Sequence, residues 1–337
     1  MRQAVPPLAA AVSPRTIPRH RLRRALMSAT VAVLAVCGIA CRGAAAAERL
    51  DVPPGATLGA LRLLSALVVD GAGDPGFGGF SGLEVSPDGT RLWAIGDRGT
   101  LLTARLVYDD AGRLAGLADR ALAPLRDLGG TPVRDLRADS EGLARLPGGA
   151  FAVSFERTHR VLRYPGSPAA TLPEQLPMPP GALALVANRG IEALTALADG
   201  SLLAIGEMIV TPEGGLHAAW LGGEGGWAHL AYVVPAQYRP TGAATLPDGD
   251  VIAIERRNPR LFVVGGRIVL IPRETIRPGA QIGGIELARL TPPLLNGNFE
   301  GIAAWRDPAG RTRILVISDD NFLPIQRTLL LEFVLVR

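Results

Sequence analysis

Five near-copies of one hairpin recur along the chain, and a fixed-period repeat of this kind decides architecture before any other property does. They are SGLEVSPDGTRLWAIGD (81–97), EGLARLPGGAFAVSFE (141–156), EALTALADGSLLAIGE (192–207), TGAATLPDGDVIAIE (241–255) and EGIAAWRDPAGRTRILVISDD (300–320). Each reads as a short strand, a tight turn on Asp-Gly, Gly-Gly or Ala-Gly, and a second strand rich in Val, Ile, Leu and Ala. Their starts lie about 50–60 residues apart, the spacing of four-stranded propeller blades.

Further strand candidates fill the gaps: LLTARLVYDD at 101, HRVLRYP at 159, WAHLAYVV at 227, RLFVVGGRIVLIP at 260 and IGGIELARL at 282. The predicted fold is therefore all-β, a single β-propeller over residues 48–337. Five repeats predict five blades; a degenerate sixth between 108 and 138 or between 160 and 188 stays open. The segment LGALRLLSALVV (58–69) has no hairpin of its own, and neither has RTLLLEFVLVR near the C-terminus. Both are expected in one final blade, sealing the ring by main-chain hydrogen bonds and leaving only short edges.

Carboxylates mark both ends of the repeated hairpin. The residue opening the first strand is Ser81, Glu141, Glu192, Thr241 or Glu300, and the residue closing the second is Asp97, Glu156, Glu207, Glu255 or Asp319. In an antiparallel hairpin these two positions lie at the same end, so a ring of blades gathers eight carboxylates around one channel mouth. Like charges so crowded raise one another's pKa unless a cation sits among them. Two cations are available to this sequence. Arg98, Arg157, Arg189 and Arg256 flank the acids and can pair with them, or can be offered to an anionic group of a substrate. Alternatively Glu141, Glu192, Glu300, Asp97, Glu156, Glu207, Glu255 and Asp319 ligate a hard divalent metal, Ca²⁺ or Mg²⁺/Mn²⁺, helped by neutral oxygens of Asn188, Asn296, Asn298 and Asn321.

The order GFGGFSGLEVSPDGTRLWAIGDRG, APLRDLGG, RADSEGLARLPGGAFAVSFERTHRVLRY, NRGIEALTALADGSLLAIGE and NGNFEGIAAW with LVISDDNF resembles the phytase-like propeller family, which is associated with esterase-like activity. The resemblance runs from about residue 59 to 337 and is most specific around Glu141 and Glu156. It implies a hydrolase of esters or phosphoesters. The placement of Glu141 ahead of GLARL is also similar to that of the metal-binding Glu of lactonase and regucalcin-like propellers. Propeller phytases bind inositol phosphate through Ca²⁺ and carry aspartate-rich signatures with clustered Lys and Arg, which this chain lacks. Two functions are carried forward. One is a metal-dependent hydrolase of small esters, phosphoesters or lactones in which Glu141 or Glu192 activates water; the other is a non-catalytic propeller binding a small ligand or a protein.

Composition narrows the remainder. All 35 basic residues are Arg, a uniformity that reads as genomic rather than as a nucleic-acid surface. Seven of them fall in residues 1–47 with no acid, leaving 28 against 31 acids in the rest. The basic stretch ending at Arg23-Arg24, the apolar run Ala25 to Ala40 and the small residues Ala44 to Ala47 have the three parts of an export signal. The protein is expected in the periplasm or outside the cell, exported by the general route or by the twin-arginine route, with a lipoprotein anchored at Cys41 as the minor alternative. The apolar run is too short for a stable membrane span, and a monomer is expected. Cys37 and Cys41 are the only cysteines, so cleavage near Ala47 excludes disulfides and thiol chemistry from the mature chain. No G-x-S-x-G, HExxH or Walker sequence occurs. Trp93, Trp220, Trp227 and Trp305 lie in or beside strands, where bulk fills the space between blades.

Overall fold

In a computed structural model the described residues are 48–50, 55–182, 189–210, 216–257, 265–291 and 297–336. The export segment, Asn188 and Asn296 lie outside them. Five antiparallel blades follow one another. Blade 1 is Phe80–Val85, Arg91–Gly96, Thr100–Tyr108 and Leu114–Pro124; blade 2 is Ser140–Arg145, Phe151–Phe155, Arg160–Tyr164 and Glu174–Gln175. Blade 3 is Ile191–Ala196, Leu202–Val210, His217–Gly223 and Gly226–Val233; blade 4 is Tyr238–Thr245, Val251–Arg257, Gly266–Ile271 and Ile285–Leu290. Blade 5 is Asn298–Arg306, Thr312–Asp319 and Leu329–Leu335, with Leu61–Val68 as its fourth strand.

Among the described residues there is no sixth blade. The stretch 108–138 supplies the outer strand of blade 1 and a single 3-10 turn at Asp135–Arg137, while the described part of 160–188 holds the two short outer strands of blade 2. IGGIELARL divides between two blades: Gln281–Gly283 adds in parallel to the outer edge of blade 3, and Ile285–Leu290 closes blade 4. Gly284 is the pivot, and a Cβ there would strike the Val269 side chain.

The ring closes through both ends of the described chain. Leu61–Val68 pairs antiparallel with Leu329–Leu335, placing Val68 opposite Leu329 and Leu61 opposite Leu335. The seam is tied to blade 1 by polar groups: buried Glu332 accepts from Leu114 N at 2.8 Å and from Arg313 at 3.1 Å, and Ser65 donates to Leu114 O at 2.6 Å. Five buried apolar clusters lie between successive blades, the ring ending where blade 5 meets blade 1. Each blade is thus covered on both faces, which is why second strands such as LLAIG and VIAIE read as unbroken apolar runs. The four tryptophans all pack into these inter-blade layers. Among the described residues no helix is long and apolar enough to cross a membrane.

Candidate metal and active site

The same irregularity recurs in every inner strand. Pairing with the second strand slips by one residue at Ser81, Glu192, Thr241 and Glu300, and across Glu141-Gly142. A β-bulge leaves the extra residue unpaired and re-aims its side chain. The bulged residue is in each blade the one that opens the repeat, so the five bulges turn Ser81, Glu141, Glu192, Thr241 and Glu300 out of the ladder at one level. Ser81, Glu192 and Glu300, with residues of all five inner strands, line a narrow axial channel.

Glycine follows the bulge in four blades because the inner strands nearly touch there. A Cβ on Gly82 would lie 2.8 Å from Leu143 Cβ, one on Gly142 2.6 Å from Leu194 Cβ, and one on Gly301 2.8 Å from Leu83 Cβ. On Gly242 it would collide with the Glu300 carbonyl oxygen, a backbone atom that cannot swing aside. Gly242→Ala is therefore expected to cost about 1–3 kcal/mol or more by overpacking, seen as a lower urea midpoint. An unchanged midpoint would mean that the inner strands have room to part.

Register identifies the second acidic position in each blade. The residue after the one facing the bulge is Asp97, Glu156, Glu207, Arg256 and Asp319. Blade 4 therefore presents Arg256 and not Glu255. Glu255 is fully buried away from the others, accepting from Tyr232 Oη at 2.6 Å and Arg267 Nε at 2.6 Å. Seven of the eight expected carboxylates do interact as one cluster: Asp97, Glu141, Glu156, Glu192, Glu207, Glu300 and Asp319. Asp139 joins them as an eighth, unexpected from sequence.

The cluster has two unlike halves. On one side Arg256 donates to Glu207 Oε1 at 2.8 Å, Glu300 Oε1 at 2.9 Å and Asn298 Oδ1 at 2.8 Å. Asn298 Nδ2 in turn donates to Glu300 and Asp319, each at 3.0 Å, so this half has one counter-charge for its three acids and is tied by hydrogen bonds. On the other side one oxygen from each of Asp97, Asp139 and Glu141 lies within 4.8 Å of the others, and the same holds for Glu141, Glu156 and Glu192. Glu141 belongs to both triads. Arg157 pairs with Asp139 from the rim, and Arg256 acts on Glu192 electrostatically without an ion pair to it among the described residues. Ser81 Oγ donates to Asp97 at 2.6 Å and Gly190 N to Glu156 at 2.7 Å.

The other flanking arginines take different places. Arg98 stacks on the Phe322 ring at 3.4 Å and donates to Pro75 O, and Arg189 is exposed. Asn321 gives Asp319 a backbone N–H at 2.6 Å, while its side chain turns to Gln326. Arg157, Asn321 and Phe322 all have φ near +50°, a conformation costly for non-glycine residues, and all follow second-position acids closely.

A family model for phytase-like proteins, described as esterase-like activity of phytase, matches residues 75–322. The chain belongs to the phytase-like family. No curated protein matches the sequence. Solved structures similar to this phytase-like chain include an α-L-arabinofuranosidase from Podospora anserina in complex with cellotriose, 13% identical, covering 79% of this chain and 93% of that one with a TM-score of 0.46. A gluconolactonase from Xanthomonas campestris is 11% identical, covering 87% of this chain and 99% of that one with a TM-score of 0.43.

Burial dominates the electrostatics of the phytase-like cluster. Burial and the neighbouring acids push Glu141 and Glu192 well above the usual carboxylate range. Burial, with Asp319 nearby, raises Asp97 to about 7; burial raises Glu300 to about 8 despite Arg256, and Asp319 to about 6. Glu156 is raised by burial, against hydrogen bonds from Glu192 and Gly190. An all-oxygen, buried donor set that must hold protons to relieve its own repulsion fits a hard divalent cation.

The raised values set a pH dependence. A carboxyl whose folded pKa exceeds its unfolded one holds a proton that the unfolded chain has already released, so stability falls as pH rises between the two values. Metal-free protein should lose melting temperature from pH 5 to pH 8, the window spanned by Asp97, Glu300 and Asp319. Scanning calorimetry in chelator tests this; a melting temperature that is flat or rises across the window contradicts it.

Proposed function

We propose that this phytase-like propeller is an exported, metal-dependent hydrolase of small esters, phosphoesters or lactones. The observation that carries the reading is the half-ring of Asp97, Asp139, Glu141, Glu156 and Glu192, five carboxylates in two overlapping triads. A Ca²⁺, Mg²⁺ or Mn²⁺ ion would be held by Glu141, which is common to both triads, together with Asp97, Asp139 and Glu156. Such a cation, when bound, supplies polarisation of a carbonyl or phosphoryl oxygen. Glu192, which borders the channel and touches Glu156, takes the proton of the attacking water. Arg256 holds Glu207 and Glu300 in place and stays out of substrate contact. Arg157 steadies Asp139 at the rim, where its partly exposed guanidinium can meet an anionic leaving group.

Calorimetry on chelator-treated protein, with each of the three cations, tests the ligand half of this reading. Binding accompanied by proton release is expected, because occupied carboxylates must ionise. Turnover of p-nitrophenyl acetate, p-nitrophenyl phosphate and a δ-lactone, measured with and without the bound cation, tests the rest. Activity that survives chelation removes the metal from the mechanism; tight cation binding with no turnover across the panel makes the protein a non-catalytic binder. Cleavage near Ala47 is checked by sequencing the N-terminus of protein recovered from outside the cytoplasm.

A further inference from the structure

A second cavity lies between blades 5 and 1, at the opposite end of their hairpins from the carboxylates. It has a volume of about 370 Å³, within the range of small-molecule sites, and its walls include Asp88, Gly89, Tyr108, Trp305, Pro308 and Ala309. The turns Ser86 to Gly89 and Asp307 to Gly310, each closed by an N–H···O bond of 2.8 Å, hold its rim.

The polar atoms at this cavity are few and incompletely used. Trp305 is only 4% exposed, yet its Nε1–H donates to no group among the described residues. Gly89, at φ +70°, is the residue beside that nitrogen, and a Cβ there would run into the indole N–H edge, so glycine leaves it uncovered. Tyr108 Oη donates to Gly89 O at 2.7 Å and keeps its own lone pairs available. Asp88 Oδ1 accepts from Ser86 Oγ, Thr90 N and Thr90 Oγ1, whereas Oδ2 accepts from no described residue. Arg311 and Arg313, on the same wall, are both paired with Asp307.

We propose that this cavity binds a pyranose sugar. The uncovered indole N–H offers a donor and the exposed Asp88 Oδ2 an acceptor, and a hydroxyl-bearing ring engages both, while its C–H face suits the apolar wall of Tyr108 and Pro308. A purely apolar guest covers the indole N–H without giving it an acceptor. An anion faces Asp88 with the neighbouring guanidiniums already engaged, and an ammonium group cannot accept from the indole. The site is separate from the carboxylate half-ring and does not depend on its chemistry.

The chain has four tryptophans, so ¹⁵N-indole labelling gives four resolvable N–H signals. Trp305 is assigned by Trp305→Phe or, should that variant fail to fold, by eliminating the other three in turn. Methyl glycosides of glucose, galactose and mannose are titrated, with phenol as the apolar contrast. The Trp305 signal is expected to move saturably with at least one glycoside, about tenfold more weakly in Asp88→Asn, and equally in Glu141→Gln. No movement with any of the three glycosides overturns the proposal, as does movement with phenol alone or a glycoside response untouched by Asp88→Asn.

Discussion

Arg256→Met is expected to lower the unfolding free energy by about 3–5 kcal/mol at pH 8, the cost of removing one partner from a buried ion pair. The guanidinium holds Glu207 and Glu300, whose side chains are 12% and 9% exposed. Methionine has similar length but leaves both acids facing each other and Asp319 without a counter-charge. Glu300 already holds its proton up to about pH 8 in the presence of Arg256. The penalty must therefore shrink on acidification, because a protonated carboxyl needs no cation. Urea unfolding of wild type and variant at pH 8 and pH 5 gives both numbers. A loss below about 1 kcal/mol at pH 8, the range of exposed pairs, would show that Arg256 is a surface partner and not the keystone of its half-ring. Glu255→Gln provides the contrast: its carboxylate serves Tyr232 and Arg267, and cation binding should be unaffected.

The second large effect belongs to Glu141→Gln, for which divalent-cation affinity is expected to fall about 100-fold or more, a direct ligand lying at or beyond the upper end of the range for second-layer partners. Glutamine keeps the shape but loses the charge and one of the two carboxylate oxygens of the residue that belongs to both triads. In metal-free protein the same change relieves repulsion on Asp97 and Glu192, so the variant should melt higher than wild type at pH 8. The opposite signs separate a ligand from a structural acid. Unchanged cation affinity in calorimetry would remove Glu141 from the metal site, and a lower metal-free melting temperature would mark it as a stabilising partner.

Hairpins, blades and ring closure were legible because turn chemistry and strand periodicity are local signals that agree with one another. The acids at the bulges were legible because identical backbone positions repeat. Arg256 was obscured by one residue: Glu141 and Glu156 are 15 apart, as are Glu192 and Glu207, and the same step from Thr241 reaches Arg256, not Glu255. Within these three hairpins the common spacing points to the cation inside the ring, whereas Ser81 to Asp97 is 16 and Glu300 to Asp319 is 19. Asp139 carried a similar signal, since it stands two residues before Glu141 as Asn298 stands two before Glu300. What no local pattern announces is the division of IGGIELARL between blades 3 and 4, which the three-dimensional approach of two neighbouring sheets decides. Nor does composition show that the two halves of the acidic ring differ, because that depends on where one guanidinium points.

The fourth strand of blade 5 comes from the opposite end of the described chain, and this has a consequence for how the acids come to live together. During synthesis Leu61–Val68 emerges early and waits, unpaired with Leu329–Leu335, until almost everything between them has been made. Pairing across so wide a sequence gap is entropically dear and therefore late. Glu300 and Asp319 ride on the blade that this step completes, so the mutual repulsion at the mouth is felt in full only once the circle locks, when the apolar layers on both sides are already available to hold it.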